Sequence, residues 1–175
     1  GLSVARAFAA EGAAVALADI SEEESKKQSL EIKKSYGVDA IGVKCDVGDT
    51  FSVQNAIKET SEAFNGLDTI ACMAATLTER LDVVDLPEDE WNRTLNVNLT
   101  GSFLVCKHGI PFLREAGGGS IILTASQMGQ VAWPGSTAYC TTKGGILAWG
   151  KGLALARTDA NSRWGRGSPG VGGAG

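Results

Sequence analysis

The chain has 175 residues, with 16 Lys and Arg against 20 Asp and Glu, and so a formal net charge of −4. At 43% hydrophobic and 21% charged residues it is a globular chain of about one domain's length rather than a disordered one. The acidic balance offers no basic patch for nucleic acid, and no apolar run approaches the ~18 residues that span a bilayer. Nucleic-acid and membrane partners are therefore not expected.

The four cysteines (Cys45, Cys72, Cys106 and Cys140) form no Cys-x-x-Cys pair, and the sole histidine, His108, has only Cys106 as a ligand-type residue near it in sequence. A zinc site wants closely spaced ligands, so the expectation is no metal and four reduced thiols in a cytoplasmic protein. The chain opens on Gly1 rather than Met, which leads to the expectation of a piece of a longer polypeptide.

Residues 3–11 carry the spacing of a helix closed by Gly12. Ala14-Val-Ala-Leu-Ala18 reads as a wholly buried strand, the type used in parallel sheets. Ser21-Glu-Glu-Glu24 is a capping box that opens a helix to about Tyr36. A strand over 40–47, a helix over 50–65 with Val53, Ala56, Ile57 and Phe64 on one face, and a strand over 68–75 follow. Pro87 suits the first turn of a long helix carrying Trp91, Leu95 and Leu99. A strand over 120–125 and a helix over 137–156 complete the pattern. Strands alternating with helices predict a doubly wound α/β fold with a parallel sheet over residues 1–156. Beyond it, six of the eleven residues 165–175 are glycine, and residues 157–175 read as a non-globular tail with no strand.

The strongest chemical signal is Tyr139-Cys-Thr-Thr-Lys143. On a helix the phenol and the amine lie on one face, one turn apart. A free phenol titrates near ~10, and a fixed ammonium about 4 Å away favours the phenolate by roughly 1–4 kcal/mol. Such a pair can exchange a proton with an alcohol or carbonyl oxygen near neutral pH. Ser126 follows the strand over 120–125, at the carboxyl end where ligands of parallel sheets bind. Asp19 ends another strand, at the same carboxyl edge of the expected sheet.

The segments Asn96-Val-Asn-Leu-Thr-Gly101, Gly119-Ser-Ile-Ile-Leu-Thr-Ala-Ser126 and Tyr139-x-x-x-Lys143, with Ala5-Arg-Ala-Phe-Ala-Ala-Glu-Gly-Ala13, Asp19 and Cys45-Asp-Val47, resemble the short-chain dehydrogenase/reductase family over residues 1–156. The resemblance implies a Rossmann fold that here lacks its first strand and its C-terminal part. It also implies a catalytic set in which Tyr139 is the general acid/base, Lys143 depresses its pKa and holds the nicotinamide ribose, Ser126 orients the substrate oxygen, and Asn98 anchors a proton-relay water. Asn96 is the alternative within the same motif. By the same resemblance Gly1 is the last glycine of the dinucleotide loop, and Asp46 and Val47 meet the adenine. The carboxylate of Asp19 would repel a 2′-phosphate, so the expected cofactor is NAD. The implied activity is hydride transfer between NAD(H) and a secondary alcohol or ketone, with 3-oxoacyl-carrier-protein reduction as one alternative and an inactive dinucleotide-binding fragment as another. A homodimer or homotetramer is implied for the parent protein. One departure stands out: Cys72-Met-Ala-Ala75 replaces the family's Asn-Asn-Ala-Gly, which brings the rigidity of that strand end into question. The tail lacks the strand and Pro-Gly step that the family places after the last helix. A reading-frame slip between about residues 156 and 161 is the expected cause.

Overall fold

The computed structural model describes residues 1–155 and the backbone of residues 163–167. Strands and helices alternate: α1 (Leu2–Ala10), β1 (Val15–Asp19), α2 (Glu22–Tyr36), β2 (Ala40–Lys44), α3 (Thr50–Phe64) and β3 (Thr69–Cys72). Next come α4 (Glu88–Leu95), a π-helical turn (Asn96–Thr100), α5 (Gly101–Glu115), β4 (Ser120–Thr124), the single turn α6 (Met128–Val131), α7 (Thr137–Leu155) and β5 (Arg163–Gly167).

The local signals work as their chemistry dictates. Ser21 caps α2 by accepting from the Glu24 backbone N–H at 3.4 Å, and Gly37 closes that helix in the left-handed region at φ 70°. Asp49 caps α3 by accepting from Ser52 N at 2.6 Å. Pro87 sits one residue earlier than expected, as the cap itself, and Glu88, Asp89 and Glu90 fill the first turn of α4, where negative charge is favoured.

Among the described residues every strand pair is parallel, but the strands form two sheets. One has the order β1-β2, with Val15 opposite Ala40; the other has the order β3-β4-β5, with Thr69 opposite Ser120. No ladder joins β1 to β3. The two sheets are held together by helices: Leu104 of α5 packs with Val43 and Val53, while Cys106 and Leu113 of the same helix pack with Ile70 and Ile121. A third cluster joins Ala5, Ala9 and Ile32 beside Val15 and Leu17.

Two expectations are corrected here. The strand over 14–18 is not wholly buried: Ala18 and Asp19 are exposed and the rest of β1 is half-buried. The cause is that, among the described residues, β1 has a strand partner on one edge only. A cavity of about 730 Å³ runs between the facing edges of β1 and β3, lined by Ala16, Leu17, Ala18, Ile70, Ala71 and Cys72 among others. The second correction is β5, which the composition of the tail did not predict. Its ladder runs from Ser120 opposite Arg163 to Thr124 opposite Gly167. Pairing of this kind uses main-chain groups, so the free edge of β4 can recruit a segment without a β-branched run. The rest of the expected tail and the expected frame slip, residues 156–162 and 168–175, lie outside the described residues.

Candidate active site

The site is built where helices meet the carboxyl end of β4. Along the helical stretch 88–115 the backbone widens by one residue at Asn96–Thr100, where the Gly101 N–H reaches back five residues to Asn96 O. Such π-turns are frequent at functional sites. Gly101 leaves room for this segment to lie against Val47: a Cβ there would stand 2.8 Å from Val47 Cγ2.

The widened turn carries Asn98, which has 0% exposure. Its Oδ1 accepts from Thr76 N at 2.7 Å, and its Nδ2 donates to Thr76 O at 2.9 Å and to Thr142 Oγ1 at 3.2 Å. Thr142, also fully buried, donates in turn to the carbonyl of Tyr139 at 2.8 Å. Asn98 therefore joins the loop after β3 to the helix that carries Tyr139 and Lys143. Asn96 points elsewhere, donating to Gly48 O at 3.3 Å.

Lys143 is 2% exposed, and its Nζ donates to Thr124 O at 2.7 Å. The same amine lies 5.6 Å from the centre of the Tyr139 ring. Burial pushes its pKa below the ordinary lysine value, because the charged form loses solvation. Ser126, two residues beyond Thr124, has its Oγ 3.2 Å from the Met128 N–H, which donates to it. Ser126, Tyr139, Lys143 and Asn98 thus all belong to one junction of β4, α6, α7 and the π-turn.

The other candidates gather apart from these. Gly1, Asp19 and Val47 line the cavity between the sheets, together with Met73 and Ala74. Asp19 Oδ1 accepts from Ser21 N at 3.0 Å, and Asp46 Oδ1 accepts from Gly48 N at 2.9 Å. These carboxylates close β1 and follow β2, so both face the carboxyl end of the sheet.

The departure at Cys72-Met-Ala-Ala75 has its own support. Thr124 Oγ1 reaches Met73 Sδ at 3.5 Å across the sheet, and Asn98 grips Thr76 from the other side. Cys72 packs beside Cys106 in the core, and its thiol pKa is raised by a hydrogen bond to Cys106 and by burial. Burial, followed by the Asp46 and Asp19 carboxylates, pushes Cys45 up to about 11. The sequence reading missed Thr76, Thr124 and Thr142. Thr142 lies inside the Tyr-x-x-x-Lys span, but nothing in that span announces its buried partner.

Comparisons with known proteins bear on the family and the fold. A family profile described as Enoyl-(Acyl carrier protein) reductase matches residues 1–171. A 2,5-dichloro-2,5-cyclohexadiene-1,4-diol dehydrogenase of Sphingobium indicum is 36% identical over 163 residues, which cover 93% of this chain and 64% of that protein. Among solved structures, a 3-ketoacyl-ACP reductase from Sinorhizobium meliloti 1021 superposes with a TM-score of 0.89 at 31% identity, covering 95% of this chain and 66% of the other. A NAD+-bound xylitol dehydrogenase superposes at 0.87 with 32% identity, covering 93% and 62%. The chain thus spans less than two thirds of the length of that curated relative.

Proposed function

Since the chain belongs to the short-chain dehydrogenase/reductase family, we propose that its site moves a proton at the oxygen of a secondary alcohol or ketone during nicotinamide-dependent oxidation or reduction. The observation that carries this reading is the buried chain of contacts from Thr76 through Asn98 and Thr142 to the helix of Tyr139 and Lys143, closed by Lys143 on Thr124 beside Ser126.

Tyr139 gives or takes the proton at the substrate oxygen. Ser126 donates its hydroxyl to that oxygen and fixes its position. Lys143 places a cation beside the phenol; its burial strengthens the electrostatic effect on a neighbouring phenolate, since less water screens it. Asn98 fixes the loop after β3 against α7 and supplies the buried polar end of a proton path behind Lys143.

The residues present fit a dinucleotide on its adenosine side. Asp19 uses one carboxylate oxygen for Ser21 N, leaving Oδ2 for an incoming ribose hydroxyl, and the adjoining cavity wall is made of Gly1, Val47 and Ala74. Bound there, a nicotinamide cofactor supplies the hydride acceptor or donor. A nicotinamide cofactor follows from the family; the choice of NAD over NADP rests on the charge of Asp19, which disfavours a 2′-phosphate. The same reading takes the protein to be cytoplasmic, supported by four free thiols, and to act as a homodimer or homotetramer, which size-exclusion chromatography with light scattering decides.

A second reading, reduction of a 3-oxoacyl group on a carrier protein, is favoured by the 3-ketoacyl-ACP reductase superposition. Assaying NAD reduction with secondary alcohols against NADH oxidation with a 3-oxoacyl thioester separates the two. In either case Tyr139→Phe removes the proton carrier with little change in volume. Turnover should fall by about 10²-fold or more while NADH affinity holds. A variant keeping above about a tenth of the activity would rule out Tyr139 as the acid/base. NADH binding by the unaltered protein without turnover on any substrate would instead mark a dinucleotide-binding module.

A further inference from the structure

The turn that follows Ser126 touches α7 backbone to backbone. Gly129, the second residue of α6, lies on Lys143 and Gly144: a Cβ built on Gly129 would stand 2.6 Å from Gly144 N, 2.6 Å from Lys143 C and 2.8 Å from Lys143 O. All three atoms are backbone, so no side chain can swing aside. Gly129 does not have a positive φ, so glycine is required here for closeness and not for torsion. The approach is asymmetric. A Cβ on Gly144 would meet Gly129 O at 3.2 Å, a contact that a few tenths of an ångström relieves.

This contact is the second of two ties between the serine segment and the lysine turn. The first is Lys143 Nζ on Thr124 O at 2.7 Å, two residues before Ser126. The turn after the serine is itself tight, with Gly129 N donating to Ser126 O at 3.0 Å and Met128 N donating to Ser126 Oγ at 3.2 Å. Ser126 is therefore bracketed: its strand side is held by the side chain of Lys143, and its helix side by the backbone of Lys143.

We propose that Gly129 is a positioning residue, which keeps Lys143 anchored on Thr124 and so sets the register between Ser126 and the Tyr139–Lys143 helix. The inference rests on the proposed function for its catalytic meaning, but the contact itself is tested without substrate or cofactor. Gly129→Ala must drive α6 and α7 apart toward ordinary van der Waals separation, a shift approaching 1 Å, and displacements of that order can cost about 10²-fold in catalysis.

The test is reductive methylation of the native protein with peptide mapping of each lysine. In the unaltered protein Lys143 is protected, while exposed Lys26 and Lys107 react. Gly129→Ala should label Lys143 at least about tenfold faster, an opening of its site by roughly 1.4 kcal/mol, with the rates at Lys26 and Lys107 unchanged. Gly144→Ala should fall between the two. Lys143 as protected in Gly129→Ala as in the unaltered protein overturns the proposal, as does a common acceleration of all lysines, which would mean general loosening. If Gly129→Ala does not fold, Gly144→Ala decides: Lys143 labelling above the unaltered protein supports the contact, and unchanged protection overturns it. In turnover assays Gly129→Ala should lower kcat, since Lys143 leaves the phenol's side; an unchanged kcat beside faster Lys143 labelling counts against the assignment. A protein with no nicotinamide turnover whose Lys143 labelling still follows this order retires the proposed function and leaves the positioning contact standing.

Discussion

Lys143 shows at single-residue scale how a fold trades stability for a chemical group. An amine with 2% exposure keeps one hydrogen bond, to Thr124 O, and its pKa lies below its ordinary value of 10.5 because burial disfavours the charge. Between the lowered value and 10.5 the unfolded chain binds a proton that the folded chain has released, so stability rises with pH through that window. Below the window the full penalty is present. Lys143→Met has no such term. Urea denaturation at pH 7 and pH 10 should therefore show the stability difference moving in favour of the unaltered protein at the higher pH. A difference that stays constant would mean that Lys143 titrates as a free lysine. Asp19 poses the corresponding test for the cofactor. Its carboxylate has one oxygen engaged by Ser21 N and stands at the exposed end of β1. Asp19→Ala should narrow or reverse a preference for NAD over NADP, measured as the ratio of kcat/KM for the two cofactors. An unaltered protein that already prefers NADP would refute the argument from this charge.

Among the elements, the β1–β2 sheet and α2 depend on one close approach. Gly42 of β2 lies against the backbone of Ser25 and Lys26, and a Cβ there would overlap the Lys26 amide. Ser25 and Ser29 of α2 are buried on the same face and turn their hydroxyls back onto their own helix, donating to Glu22 O at 2.9 Å and to Lys26 O at 2.8 Å. The helix can therefore sit flat on the strand without stranding a polar group. Gly42→Ala must separate the two, at a cost of ~1–3 kcal/mol. Thermal unfolding should show the loss; a midpoint equal to that of the unaltered protein would mean that α2 slides without cost. The helix carrying Asn98 illustrates the opposite case, in which regularity is broken for the site. Its π-turn lets the Asn98 side chain reach both Thr76 and Thr142.

For the whole molecule, the decisive feature is the division into two sheets. Among the described residues the facing edges of β1 and β3 have no strand partner along an apolar slot, and α5 bridges the gap through side-chain packing. Two free parallel edges are an unstable arrangement, since each invites pairing with another chain. Gly1 lies at the end of the slot beside Met73, where its Cβ would be 3.7 Å from Met73 Cβ. A segment of about six apolar, β-branched residues joined ahead of Gly1 through a turn is expected to enter the slot and pair with both edges. Such an extended protein should melt higher and protect the amides of Ala16–Ala18 and Ile70–Cys72 from hydrogen exchange. Unchanged exchange at those amides would show that the slot does not accept a strand.

Much of this was legible from residue order. Ser21, Gly37 and Asp49 act through neighbours three or four positions away, so helix limits follow from local chemistry. The alternation of apolar runs with amphipathic stretches marks a parallel α/β sheet because both faces of such strands are covered. The i, i+4 spacing of Tyr139 and Lys143 puts both on one helix face, since one turn separates them. What no local pattern could decide is which distant groups meet. That Asn98 grips Thr76 and Thr142 while Asn96 turns to Gly48 depends on packing across 22 to 48 residues of chain. That β1 is half-exposed depends on its pairing on one edge only among the described residues, and that residues 163–167 pair with β4 depends on a free edge offering main-chain bonds to almost any sequence. Local signals encode the elements because their physics acts within one turn or one strand. Close backbone contact, sheet order and the burial of Lys143 come only from the tertiary structure, because they arise between elements that the sequence holds far apart.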